Sequence, residues 1–163
     1  MGEAIDRLPA RPPSEVEWED LLLRMELMAR ALRSTVEDAD LSRVRDELGA
    51  LVEREERVRE WLERHALDPA SRRGTENAAN LRDETTWGSA ELVERAVSLR
   101  ARNFAMVQRR GLGVWEWSGD LDVDGGRSLT VTAFQLLGWL VGEDVRTLAA
   151  LRAGTRGTGA PAC

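Results

Sequence analysis

Residues 130–152, TVTAFQLLGWLVGEDVRTLAALR, constrain the fold of this chain more than any other stretch. Thr132 can accept from the backbone N–H of Gln135 while the Gln135 side chain reaches back, a reciprocal spacing that starts a helix. Val131 and Leu136 stand where an apolar clasp across that first turn belongs. Leu136, Leu137, Leu140, Val141, Val145, Leu148 and Leu151 recur at helical spacing as a broad stripe, which must be buried against other elements. Late in the helix the stripe turns polar. Leu136, Leu140, Glu143 and Thr147 form one row at steps of three and four, so Glu143 and Thr147 are expected to point roughly where the leucines point. An inward acid is costly unless paired or hydrated, so this end of the helix is where a site is expected.

Three earlier stretches carry the same period. Ser14 and Glu17 have the spacing of a helix start, and Trp18, Leu21, Leu22, Met25, Met28, Leu32 and Val36 mark a buried stripe over 14–38. A second helix is expected over 41–65, capped by Asp40, with Val44, Leu48, Leu51, Val52, Val58, Trp61 and Leu62 inward. Glu55 falls on that face, either snorkelling to solvent or buried and hydrogen-bonded. His65, the single histidine, suits the last turn of this helix, where a partly charged imidazole meets the negative end of the dipole. A third helix is expected over 89–110, capped by Ser89, with Leu92, Val93, Ala96, Val97, Leu99, Phe104 and Val107 inward.

The segments between are less regular. Residues 67–88 are polar and aperiodic, long for a connection inside a compact domain, and read as a crossover or a lid. A crossover of that length lets the two helices it joins run the same way. Val114 to Ser118 alternate as a short extended piece. Asp120, Asp122, Asp124 and Gly125 resemble part of a calcium loop, but Val131 stands where the bidentate glutamate would be required, and an acidic turn is the simpler reading. Residues 1–13 are expected to be a flexible leader and 153–163, rich in Gly, Ala and Thr, a disordered tail.

The 163 residues are 42% hydrophobic and 32% charged with a formal net charge of −6. That composition supports one globular domain and disfavours nucleic acid or an anionic membrane as a partner. No run approaches the length of a membrane span. The N-terminus lacks the apolar core of a signal peptide, and the single cysteine, Cys163, permits no disulfide within the chain. A cytoplasmic location is therefore expected.

Four helices and a long second connection, with ELGALVEREERVREWLERH in the second helix, SLRARNFAMV followed by WEWSGDL in the third, and Leu129 to Leu151 in the last, resemble the DinB-like superfamily of bacterial four-helix bundles. That superfamily includes thiol-S-transferases using mycothiol or bacillithiol and a maleylpyruvate isomerase. The resemblance covers about residues 14–152 and implies an all-α four-helix bundle. It also implies a metal held by three histidines near one end, one from the second helix and two spaced by four in the last. The corresponding positions here are Ala50, Glu143 and Thr147. A methyl group cannot ligate and a threonine hydroxyl is a poor neutral ligand. One histidine in the chain cannot build a three-histidine site.

The expectation is thus a DinB-like domain with a degenerate site holding no metal and no cofactor, acting as a small-molecule-binding or interaction module. Ala50, Trp139, Glu143 and Thr147 are the candidate pocket. The alternatives are an enzyme using Glu143 as acid or base, a thiol-S-transferase-like enzyme with an altered site, and a bundle that buries an apolar stripe against a second copy as a homodimer.

Overall fold

The computed structural model of the protein describes residues 5, 7–36, 44–66, 87–123 and 127–155. Among them are four long helices, α1 (Glu15–Val36), α2 (Arg45–Ala66), α3 (Ser89–Arg110) and α4 (Ala133–Thr155). Between α3 and α4 lie a 3-10 turn, Gly111–Glu116, and two strands, β1 (Ser118–Val123) and β2 (Arg127–Thr132). The fold is an all-α four-helix bundle with one small hairpin. The expectations for residues 37–43, 67–86 and 156–163, including the crossover and most of the tail, lie outside the described residues.

The helix starts follow local chemistry. Ser14 N–H donates to Glu17 Oε2 at 2.8 Å, and Glu17 N–H donates to Ser14 Oγ at 3.3 Å. Thr132 N–H donates to Gln135 Oε1 at 3.0 Å and Gln135 N–H to Thr132 Oγ1 at 3.2 Å. Both are reciprocal caps that satisfy orphan first-turn donors. The cap of α3 is Gly88 rather than Ser89. Glu91 lies three residues beyond Gly88 and accepts its N–H at 2.8 Å. That half of the motif needs only backbone at the cap position.

Side-chain contacts fix the helix directions. Arg45 Nε donates to the Trp87 carbonyl across 42 residues, and Arg100 Nε to Glu55 across 45. A nearly constant offset means that α2 and α3 run the same way. Arg33, near the end of α1, meets Glu94 near the start of α3 at 3.4 Å, so those two are antiparallel. The start of α4 shares a cluster with the start of α1 and the end of α2. Hence α1 and α4 run one way, α2 and α3 the other. Each helix packs against its own parallel neighbour and one member of the other pair: α1 on α4 and α3, α2 on α3 and α4.

The hairpin departs from the extended piece expected over 114–118. Residues 111–116 coil tightly, with Val114 buried, and pairing begins only at Ser118. The strands are antiparallel with Leu121 opposite Leu129 and Gly119 opposite Val131. Leu121 and Val131 are buried in the bundle core, so the alternation that matters is Leu121 between Asp120 and Asp122. Asp120 Oδ1 accepts from Thr130 Oγ1 at 2.7 Å, a bond across the hairpin; Asp124 lies outside the described residues. At Gly119 an added Cβ would sit 2.1 Å from the His65 ring. The single histidine is thus wedged beneath the strand and tilted against Trp61, with ring centroids 4.6 Å apart. Part of the stretch expected to be a leader is also packed. Ile5 is fully buried, Leu8 lies against Gly138, and Gln135 Nε2 donates to the Leu8 carbonyl at 3.1 Å.

The core falls into two apolar clusters stacked along the bundle. One gathers Trp18, Leu21 and Met25 with Val58, Trp61, Leu62, Val107 and residues from Val131 to Val141. The other gathers Met28, Leu32 and Val36 with residues from Val44 to Val52, from Leu92 to Leu99, and Leu151. Every apolar residue expected inward on α2 is buried. On α4 two are not: Leu148 is half-buried against the second cluster, and Val145 is 67% exposed, because Asp144 takes the inward face of that turn.

Candidate functional site

Between the two clusters, three of the four helices turn polar at the same level. Val52 and Val58 flank Glu55 on α2, Leu99 and Val107 flank Arg100 and Asn103 on α3, and Val141 and Leu151 flank Asp144 and Thr147 on α4. Each of these polar residues occupies a helical row that is otherwise apolar. Ala96, Arg100, Asn103 and Val107 are one such row on α3. The fourth helix contributes only Met25 and Met28 on either side of this level.

Arg100 is the centre of the layer and is 2% exposed. Its Nη1 and Nη2 fork onto Asp144 Oδ2 and Oδ1 at 2.8 and 2.7 Å. Its Nε donates to Glu55 Oε1 at 2.6 Å. Asn103 Nδ2 donates to Glu55 Oε2 at 2.9 Å and to the Glu55 carbonyl at 3.1 Å. Planar bidentate pairing of this kind is the strongest ion pairing a side chain can make. Glu55 is 1% and Asp144 5% exposed.

Two carboxylates share one fully buried guanidinium. Burial pushes the Glu55 carboxyl above the usual carboxylate range, with Arg100 pulling the other way. Burial raises Asp144 as well, against the attraction of Arg100 and Arg54. Burial also disfavours the Arg100 cation, but the two carboxylates outweigh it and hold the guanidinium firmly charged. Arg54 supplies the second positive charge. Burial lowers its pKa, opposed by attraction to Glu143, Asp144 and Glu55. Its Nη2 donates to Thr147 Oγ1. With Arg54 included, the layer carries two positive and two negative charges.

The residues expected as a pocket are distributed over this arrangement rather than gathered by it. Thr147 is buried and belongs to the layer through Arg54. Trp139 is buried in the apolar cluster at the start of α4. Glu143 sits at the rim, its carboxylate held at 2.6 Å by the exposed Arg146. Ala50 is exposed on α2. The inward acid of this turn is Asp144, one residue beyond the one expected. Leu137, Leu140, Asp144, Leu148 and Leu151 also step by three and four, so the sequence held two competing rows. The exposure of Val145 and burial of Asp144 select the second. Arg100 and Asn103 were missed altogether, although their place between Ala96 and Val107 was a visible signal.

Among the described residues no three His, Cys, Asp or Glu side chains come together in a way that could hold a metal ion. No described helix is long and apolar enough to cross a membrane. Two recesses open nearby. One, of about 230 Å³, lies between the end of α2 and β1, lined by Arg57, Glu60, Trp61, Arg64, Leu121 and Asp122. The other, of about 160 Å³, is an apolar groove between α1 and α4 with Leu27, Met28 and Val145 on its walls and Asp144 among its lining residues. Comparison with known proteins returned no matching family model, no matching curated protein and no matching solved structure.

Proposed function

We propose that this chain is a DinB-like bundle whose polar centre serves architecture rather than chemistry, and that it works as an interaction module without a metal. The observation that carries this reading is the saturation of the two buried carboxylates, although Asn103 Oδ1 and Arg54 Nε beside them have no hydrogen-bond partner among the described residues. Both Asp144 oxygens accept from Arg100, and both Glu55 oxygens are engaged, by Arg100 and Asn103. A general acid or base must be free to reach a substrate proton, and these carboxylates are committed to joining three helices. The positions that the resemblance assigns to metal ligands support the same reading. An exposed methyl, a rim carboxylate tied to Arg146 and a hydroxyl accepting from Arg54 supply no nitrogen donor for zinc or nickel. Calorimetric titration of the full chain with zinc and with nickel should show no one-to-one binding. Tight stoichiometric uptake of either ion would overturn the proposal.

Small-molecule binding is a second reading, favoured by the recess beside Trp61. Its lining of two guanidiniums, two carboxylates and an indole suits a small ligand carrying both charges, such as an amino acid. Tryptophan fluorescence that stays unmoved by a panel of amino acids and small carboxylates would remove it.

A further inference from the structure

The outer face of α1 is built unlike the other exposed surfaces of the bundle. Val16 is 75% exposed, Leu23 53% and Leu27 45%. With Asp20, Arg30 and Ser34, all exposed, they fall at alternating steps of four and three, which is the seam of a helix pair. The opposite face of α1 carries Trp18, Leu21, Met25, Met28 and Leu32 into the core, so the seam is a second apolar line on a helix already used once. Val145 on α4, 67% exposed, shares the α1–α4 groove with Leu27 and widens the line into a patch.

From this pattern we infer that α1 packs against α1 of a second copy of this chain, antiparallel about a two-fold axis that passes between Leu23 and Leu27 on the outer face; the inference names the partner of the interaction module proposed above. The charges on the seam choose the occupant and its direction. In the antiparallel arrangement the layers are Leu23 on the partner's Leu27, Asp20 on the partner's Arg30, and Val16 on the partner's Ser34, each occurring twice by symmetry. Apolar residues meet at the centre and opposite charges meet outside them. A parallel pair would instead set Asp20 on the partner's Asp20 and Arg30 on the partner's Arg30, and like charges across an interface are strongly disfavoured. Arg24 and Glu26 flank the axis and face one another across it, and their pairs within the chain, with Asp20 at 2.8 Å and Arg30 at 3.1 Å, are exposed and weak, leaving Asp20 and Arg30 able to pair across the seam. Two-fold self-complementarity is what an isologous dimer requires. A helix of 22 residues is about 33 Å long, enough to carry the whole seam from Val16 to Ser34.

Sedimentation velocity on the full chain over a micromolar concentration series tests this. The wild type should be a dimer. Asp20→Arg and Arg30→Asp should each raise the dimer Kd at least about tenfold, since each puts like charges in two layers. An equimolar mixture of the two variants should recover dimers, as should the double variant Asp20→Arg/Arg30→Asp. All of these positions are exposed, and circular dichroism should show an unchanged fold. A wild type that stays monomeric, a dimer indifferent to both reversals, or a double variant that does not recover would each overturn the inference. Zinc uptake would remove the metal-free reading and leave this interface standing, while a monomer would do the reverse.

Discussion

The two apolar clusters and the charged layer between them use the same helices under opposite rules. In the clusters each residue gains by leaving water, about 25 cal/mol for each Å² of apolar surface, and almost any neighbour of the right volume will serve. In the layer each residue loses by leaving water and recovers that loss only through particular partners at hydrogen-bond distance. Leu140 in its cluster is replaceable by degrees. Arg100 is not, because it pairs with both Glu55 and Asp144. A layer of this kind contributes little net stability but admits few alternative packings. Sliding α3 by one turn against α2 and α4 would leave three charges unpaired in an apolar interior. That registering role is best attested for buried polar groups in helix pairs.

The largest effect is expected from breaking the layer one-sidedly. Arg100→Met strands two buried carboxylates and should cost about 3–5 kcal/mol in chemical denaturation. The combined variant Glu55→Leu/Arg100→Met/Asp144→Leu removes Arg100 together with both carboxylates it pairs with. Arg54 remains, held on Thr147 Oγ1 and attracted to Glu143 at the rim, and the variant should fall between neutral and about 1–4 kcal/mol more stable than wild type. If the combined variant were as damaged as the single one, the layer would be a net source of stability and the contrast with the clusters would fail.

Next is the cluster itself. Leu140 is fully buried, and Leu140→Ala should cost about 2–5 kcal/mol with no recovery available from a second polar change. A cost near zero would mean that the cluster can collapse around the void.

A smaller effect is expected where the hairpin closes over α2. Gly119→Ala drives a methyl into the His65 ring, and a crowded site of this kind costs about 1–3 kcal/mol. His65→Ala in the same chain should return most of that loss. Failure to do so would show that the strand, rather than the ring, sets the limit.

The smallest expected effect is a slope with pH. Glu55 and Asp144 are both pushed above the ordinary carboxylate range by burial, so the folded protein keeps protons that the unfolded chain has already released. Their contribution is most favourable below that range, about pH 4, and is lost as the pH rises from there through the raised folded values. In urea melts, the stability of wild type relative to Glu55→Gln should therefore fall from pH 4 upward. A relative stability that rises instead would mean that Arg100 outweighs burial at Glu55.

Local chemistry in the sequence determined four helices and most of their inward faces. The caps at Ser14 and Thr132 depend on residues three apart, and a stripe such as Val44 to Leu62 depends only on helical period, so neither needs a tertiary partner to be read. The buried layer could not be read that way. Whether Glu55 snorkels or is buried depends on Arg100, 45 residues away, and whether Glu143 or Asp144 turns inward depends on a difference of about 100° that helix packing settles. The hairpin was hidden for the same reason: Leu121 and Val131 read as strand residues only once a bundle core exists for them to cover. Periodicity records which residues prefer to leave water. Which charges can follow them is decided by partners that only the assembled helices bring within reach.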